Sequence, residues 1–224
     1  MTRLVMWDID NTLLRGGGVA SRAWQAAFTA LTGRPWRHMP VFAGRTDLDL
    51  YAETFAAHGV TDCPPERFFA RYVEEVRTNR HEFAVQGALM PGVRAVLDRL
   101  AADPDVVQTL VTGNVPQVAA AKVAAFGLDD AFDAGVGGYG TDDHDRATLV
   151  RRSRQRAESR YGPIAAVVVV GDTANDVRAA RVNHARAVAV ATGSTGVAEL
   201  AAAGADVVLA DLVDVDAAVR AITS

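Results

Sequence analysis

The sequence predicts an α/β fold: a parallel sheet covered by helices on both faces, with a small helical segment inserted after the first strand. Three observations carry that expectation. An apolar run at residues 4–7 ends in two acids. Helical periodicity with few β-branched runs fills Val19 to about Phe83. From Met90-Pro91-Gly92 onward, strand-like and helix-like runs alternate. Alternation of that kind joins parallel strands through right-handed helical crossovers.

Residues 4–14, Leu-Val-Met-Trp-Asp-Ile-Asp-Asn-Thr-Leu-Leu, read as a buried strand running into polar turn formers. The two-residue period of a strand sets Asp8 and Asp10 on one side of its C-terminal end. Carboxylates this close repel, and burying them unpaired is costly, so the pair implies a cation, a shared proton or a phosphate-handling role. Taken alone, the same residues also fit a solvated turn. Arg15-Gly16-Gly17-Gly18 follows, a backbone with little conformational restriction that suits a hinge. Helices are expected near 19–31, 46–58 and 66–80, with breaks at Gly33-Arg34-Pro35, Gly59 and Cys63-Pro64-Pro65.

Past Gly92 the expected order is helix 92–101, strand 106–112, helix 116–126, a short strand 134–137, helix 146–160 and strand 165–171. Helix 174–182, strand 187–191, helix 196–203, strand 206–209 and helix 214–222 complete the chain. Because the first strand belongs to the same sheet, residues 1–15 and 87–224 form one core, and 16–86 is an insertion placed as a cap over the strand ends.

The chain has 224 residues, half of them apolar, enough to bury a full core. A net charge of −4 provides no basic footprint for nucleic acid or an anionic membrane. A single cysteine, Cys63, forms no disulfide within the chain. No apolar run approaches a membrane span and the N-terminal apolar stretch is too short for a signal peptide, so a cytoplasmic protein is expected. The five histidines show no pair at zinc-ligand spacing, and Trp7, Trp24 and Trp36 are assigned to packing.

In open parallel sheets, ligands gather beyond the carboxyl ends of the strands. The strand at 106–112 ends in Thr112-Gly113-Asn114, a hydroxyl, a glycine that lets backbone N–H groups approach a ligand, and an amide. Valines 167–170 lead into Gly171-Asp172-Thr173-Ala174-Asn175-Asp176, where two further acids stand four apart on one helix face. Helix capping alone would account for that second pair. Four carboxylates at neighbouring strand ends need a counter-charge, and a hard divalent cation with oxygen ligands suits them.

The ordered series Asp8-Ile9-Asp10-Asn11-Thr12, Thr112-Gly113-Asn114 and Gly171-Asp172 with Asp176 resembles motifs I, II and IV of the haloacid dehalogenase superfamily, phosphatase branch, phosphoglycolate phosphatase-like. The likeness extends to the insert between motifs I and II, where that superfamily places its helical C1 cap. It implies a Rossmann-like sheet of order 5-4-1-2-3. It further implies a Mg2+-dependent phosphomonoesterase acting on a small phosphate ester, with phosphoglycolate the nearest named substrate. Asp8 would be the nucleophile that forms an aspartyl-phosphate, and Asp10 the acid and then the base. Mg2+ would be held by Asp8, Asp10 through its carbonyl, Asp172 and Asp176. Thr112, Asn11, Thr12, Gly113 and Asn114 would contact phosphate, and Arg45 and Thr46 in Gly44-Arg45-Thr46-Asp47 the rest of the substrate. For Thr46 and Asp47 the alternative is capping the next helix.

Motif III departs from the usual lysine, since Asp142-Asp143-His144-Asp145-Arg146 occupies that stretch. Arg146 is the first candidate for its cation, because a guanidinium is permanently charged and forks onto oxygen pairs. Lys122 is the second, against a reading as part of a solvated helix face; the acidic run reads as a polar loop with a helix N-cap. A dehalogenase is disfavoured because carbon–halogen cleavage needs no acid at Asp10. A phosphonatase is disfavoured for that reason and for want of a lysine within the insert. A phosphomutase and a non-catalytic phosphate-binding module stay open.

Overall fold

Alternation along β1 (Arg3–Trp7) sends Leu4 and Met6 to one face of a sheet and Val5 and Trp7 to the other, so one strand feeds two apolar layers. A computed structural model describes residues 1–224. After β1 the chain runs through β2 (Leu14–Arg15), α1 (Val19–Thr32), α2 (Asp47–Ala57), α3 (Pro65–Asn79), α4 (Glu82–Gln86) and β3 (Ala88–Leu89). It continues through α5 (Val93–Ala101), β4 (Val106–Leu110), α6 (Pro116–Ala124), α7 (Arg146–Tyr161), β5 (Ala166–Gly171) and α8 (Ala174–Val182). β6 (Arg186–Val190), α9 (Val197–Ala202), β7 (Val207–Leu209) and α10 (Val215–Thr223) close it.

The five-stranded sheet has the order β4-β1-β5-β6-β7, and every ladder in it is parallel. β1 is flanked by β4 and β5, as the resemblance implies, in a register that sets Trp7 against both Leu110 and Val170. One expected strand is absent. Residues Ala134–Val136 form a 3-10 turn instead, and the ladder there shrinks to a single bridge between Val111 and Gly138. Three glycines, 135, 137 and 138, leave that run with few side chains to pack on a sheet face, and glycine weakens a strand interior. The outer position of the expected order is therefore unfilled, while β7 extends the opposite edge beyond β6.

Leu4 and Met6 pack with Leu149 and Val150 of α7 and Val177 and Ala180 of α8; Val5 and Trp7 pack with Val96 and Leu97 of α5 and Ala119 and Val123 of α6. The helical insert α1–α4 enters and leaves through an antiparallel pair, β2 with β3. It has its own apolar cluster, in which Trp24 meets Phe68 and Tyr72 edge-on at centroid distances of 4.7 and 5.0 Å. Val115 and Val118, beside the motif II loop, belong to the same cluster and join the insert to the sheet domain. No helix is long and apolar enough to cross a membrane.

Trp24 is fully buried at the centre of that aromatic group. Trp24→Ala is expected to cost about 3–5 kcal/mol, the usual scale for emptying an aromatic site, read from the shift in denaturant midpoint.

Candidate active site

The parallel register brings three chain turns to one edge. Beyond Trp7, Leu110 and Val170 lie Asp8, Thr112 and Asp172, and Asp8 N donates to Val170 O (2.9 Å) while Val111 N donates to Trp7 O (2.8 Å). The chain then turns sharply at Asn11, whose φ of 62° is tolerated by asparagine better than by most side chains. Thr192 Oγ1 lies against Asn11 O across the turn at 2.5 Å. These residues line a cavity of about 500 Å³ that includes Asp8, Asp10, Asn11, Thr112, Gly113, Asn114, Lys122, Arg146 and Asp172 on the sheet side and Phe42, Arg45, Asp47 and Tyr72 from the insert.

Carboxylate oxygens of Asp8, Asp172 and Asp176 lie within 4.8 Å of one another, and all three residues are buried. Arg146, at the start of α7, enters this group: its Nη2 donates to Asp8 Oδ1, and its Nε lies 2.7 Å from Asp176 Oδ1. That second contact is an ion pair without hydrogen-bond alignment, and Asp172 Oδ2 is a buried oxygen without a donor. Thr12 Oγ1 sits 3.4 Å from both Asp8 Oδ2 and Asp172 Oδ1. A donorless buried oxygen inside a cluster of three carboxylates fits a divalent cation.

Charge explains the protonation of the group. Burial pushes the Asp8 carboxyl up to about 7, against the opposing Arg146 charge. Burial, then Asp8 and Asp176, push Asp172 up to about 8. Burial alone would weaken the hold of Arg146 on its proton, but the carboxylates of Asp176 and Asp8 outweigh it and raise its pKa. Asp10 goes the other way. Burial would raise it, yet the Lys122 ammonium and hydrogen bonds from Asn114 and Lys122 hold it below the ordinary carboxylate value.

Lys122 is only 3% exposed, and the reading of it as part of a solvated helix face is corrected here. Its Nζ lies 2.7 and 2.6 Å from the two oxygens of Asp10 and 2.8 Å from Asn114 Oδ1. Thus two cations are present and divided: Arg146 meets Asp8, the neighbour expected of the motif III cation, and Lys122 meets Asp10. Asp145 caps α7 through Ala147 N, and Asp142 pairs with Arg156, so the acidic run before Arg146 is a capped loop.

The insert loop reaches the same edge. Asp47 N donates to Gly113 O (2.7 Å), Val115 N to Asp47 Oδ2 (2.8 Å), and Asn175 Nδ2 to Gly44 O (2.9 Å). Gly113 is required for this approach, since a Cβ there would stand 1.9 Å from Arg45 O. Three residues expected at the substrate have partners within the protein. Arg45 borders the cavity, but its guanidinium is engaged by Asp49 Oδ2 (2.6 Å) and by Glu53, one and two helical turns along. Thr46 is buried and caps α2 through Asp49 N, its hydroxyl donating to His144 O. Asn114 Nδ2 donates to Asp10 Oδ2 and Thr112 Oγ1, both at 2.8 Å, so its amide serves the acid. Asp47, expected either to hydrogen-bond substrate or to cap the next helix, is buried at the cavity wall, and burial pushes its carboxyl up to about 7.

A family model described as a hydrolase, haloacid dehalogenase-like hydrolase, matches residues 2–184. Among solved structures, CbbY from Rhodobacter sphaeroides in complex with phosphate is 19% identical, with a TM-score of 0.71 and 96% of each chain covered. A predicted phosphatase from Clostridium acetobutylicum is 17% identical with a TM-score of 0.69, covering 100% of this chain and 99% of that one. A predicted phosphoglycolate phosphatase from Haemophilus somnus 129PT is 18% identical, with a TM-score of 0.68 and 97% of each chain covered. A search of the curated proteins gave no match.

The raised carboxyls fix a pH dependence. Asp8, Asp47 and Asp172 hold protons in the folded chain that the unfolded chain has already released above about pH 4, so their contribution to stability is complete below that pH. It is lost as pH rises through about 7 to 8. The metal-free protein is therefore expected to melt at a lower temperature at pH 8 than at pH 5.5, and Mg2+ to raise the melting temperature more at pH 8, both read by thermal shift.

Proposed function

The chain belongs to the haloacid dehalogenase-like hydrolase family, and from that premise we propose that it hydrolyses phosphate monoesters of small metabolites through an aspartyl-phosphate on Asp8. The observation that carries this reading is the pairing of two unlike acids on one cavity. Asp8 is buried against a fixed cation, and Asp10, two residues on, keeps 45% of its side chain open to the cavity. A nucleophile must be held, whereas an acid–base group must reach both a leaving oxygen and a water.

In the first displacement a carboxylate oxygen of Asp8 attacks phosphorus in line and the ester P–O bond breaks; Asp10, ionised in the free chain, takes up a proton as the anionic substrate arrives beside it and passes that proton to the leaving oxygen. In the second, Asp10 takes a proton from water as that water attacks phosphorus. The bond to Asp8 breaks and inorganic phosphate leaves. Arg146, held beside Asp8, supplies fixed positive charge where the phosphoryl oxygens arrive. Thr112 and the backbone near Asn11 and Gly113 are the expected phosphate contacts. Asp8, Asp172, Asp176 and the Asp10 carbonyl would hold Mg2+, which when bound neutralises charge on the transferring group.

The insert serves as a cap, with Gly16 to Gly18 as its hinge, closing over the first displacement and admitting water for the second. Phosphoglycolate is the reference substrate, by analogy with the Haemophilus protein's description. Its carboxylate would compete with Asp49 and Glu53 for Arg45. Arg45→Ala is accordingly expected to change KM for phosphoglycolate by about fivefold or less, the scale of an exposed ion pair.

The decisive test uses p-nitrophenyl phosphate with and without Mg2+. Asp8→Asn is expected to lower kcat on the order of 10³-fold or more, as loss of a nucleophile does, and a chelator to abolish turnover that added Mg2+ restores. Turnover unaffected by either would refute the proposal.

A further inference from the structure

Resting on that hydrolase reading, we propose that Lys122 is a positioning residue that, with Asn114, fixes the Asp10 carboxyl where it exchanges a proton with the leaving oxygen and with water. An ammonium has three donors, and near Lys122 Nζ stand three acceptors: Asp10 Oδ1 (2.7 Å), Asp10 Oδ2 (2.6 Å) and Asn114 Oδ1 (2.8 Å). Asn114 closes the ring, its Nδ2 donating to Asp10 Oδ2 and to Thr112 Oγ1, both at 2.8 Å. Both oxygens of Asp10 are thereby held from the sheet side, and the carboxyl cannot turn without breaking contacts to Lys122 or Asn114.

The exposures show which partner the arrangement serves. Lys122 has a side chain only 4% exposed, whereas that of Asp10 is 45% exposed. Asp10 still reaches solvent through the cavity, whereas the ammonium is withdrawn from it, and burying an ammonium is costly. Stability alone would favour an apolar side chain at position 122, facing as it does the same side of α6 as Val118, Ala119 and Val123. The lysine is instead buried behind the acid, with its whole donor capacity spent on Asp10 and the amide that also grips Asp10. Arg146 already supplies the charge beside Asp8, so Lys122 is not needed there.

The test compares Lys122→Met with the wild type on two esters at saturating Mg2+, with the melting temperature measured alongside. Proton delivery matters most for a poor leaving group. The variant is therefore expected to lose ~100-fold in kcat/KM on glycerol phosphate, within the range of acid–base catalysis, and less than ~5-fold on p-nitrophenyl phosphate. In an Asp10→Asn background the same change should cost less than ~3-fold on either ester, because residues that act as a unit are not additive. Equal losses on the two esters, or a loss that adds in full to that of Asp10→Asn, would overturn the assignment of Lys122 and leave the hydrolase reading standing. Absence of wild-type turnover on both esters would overturn the two together, since Asp10 would then have no proton to exchange. Should Lys122→Met fail to fold, Lys122→Gln, which keeps polar atoms in the site, answers to the same ratios.

Discussion

The structure around the cavity depends on a charge balance. Asp8, Asp10, Asp172 and Asp176 meet at the carboxyl ends of β1 and β5, and two buried cations face them, Arg146 and Lys122. Fully ionised, four acids against two cations leave two negative charges in a place where water is largely excluded. Without a divalent ion the chain answers by retaining protons, which is why Asp8 and Asp172 are pushed up into the neutral range. A divalent ion would match the two charges left over among these four acids. The same surplus would destabilise the site at neutral pH without an ion and would favour binding of a divalent one.

That balance requires placement within a few tenths of an ångström, and the sheet supplies it. Register between β1, β4 and β5 is fixed by alternating apolar side chains on both faces, and a slip of one residue would send Asp8 to the opposite face. The glycines act at the next level. A Cβ at Gly193 would stand 1.8 Å from Asp172 Oδ2, and one at Gly113 would exclude the insert loop. The loops around the carboxylates are small because the carboxylates and the insert backbone take up the space.

Much of this was legible in the sequence because it is written locally. β1, β4 and β5 are short apolar runs ending in polar turns, and each keeps its acids or hydroxyl within a few residues of its end. Lys122 was not legible by the same means. α6 reads Pro-Gln-Val-Ala-Ala-Ala-Lys-Val-Ala, and alanines fit a buried or an exposed face equally well, so the helix shows little contrast between its sides. The available signal was the spacing of Lys122 four residues after Val118 and three after Ala119, which puts it on their face. The internal partners of Arg45 are hidden in the sequence for a related reason. Asp49 and Glu53 follow it at steps of four, and a helix starting at Asp47 turns both toward its guanidinium. The segment expected as a strand at 134–137 is a 3-10 turn because Gly135 and Gly137 within it, and Gly138 just beyond, leave it little to pack.

That the cation beside Asp8 is an arginine, Arg146, has a geometric consequence. A lysine offers one nitrogen, so its contacts to two carboxylates must converge on a point. A guanidinium presents separate N–H groups, and here Nη2 takes Asp8 while Nε faces Asp176. Those two acids can therefore stay apart, each on its own side of the fork, with Asp172 left unpaired between strand end and cavity. The cation thus meets two members of the carboxylate cluster and, with Asp8 and Asp172, borders the cavity. Fixed positive charge and an open set of oxygens coexist in one site because the arginine divides its contacts.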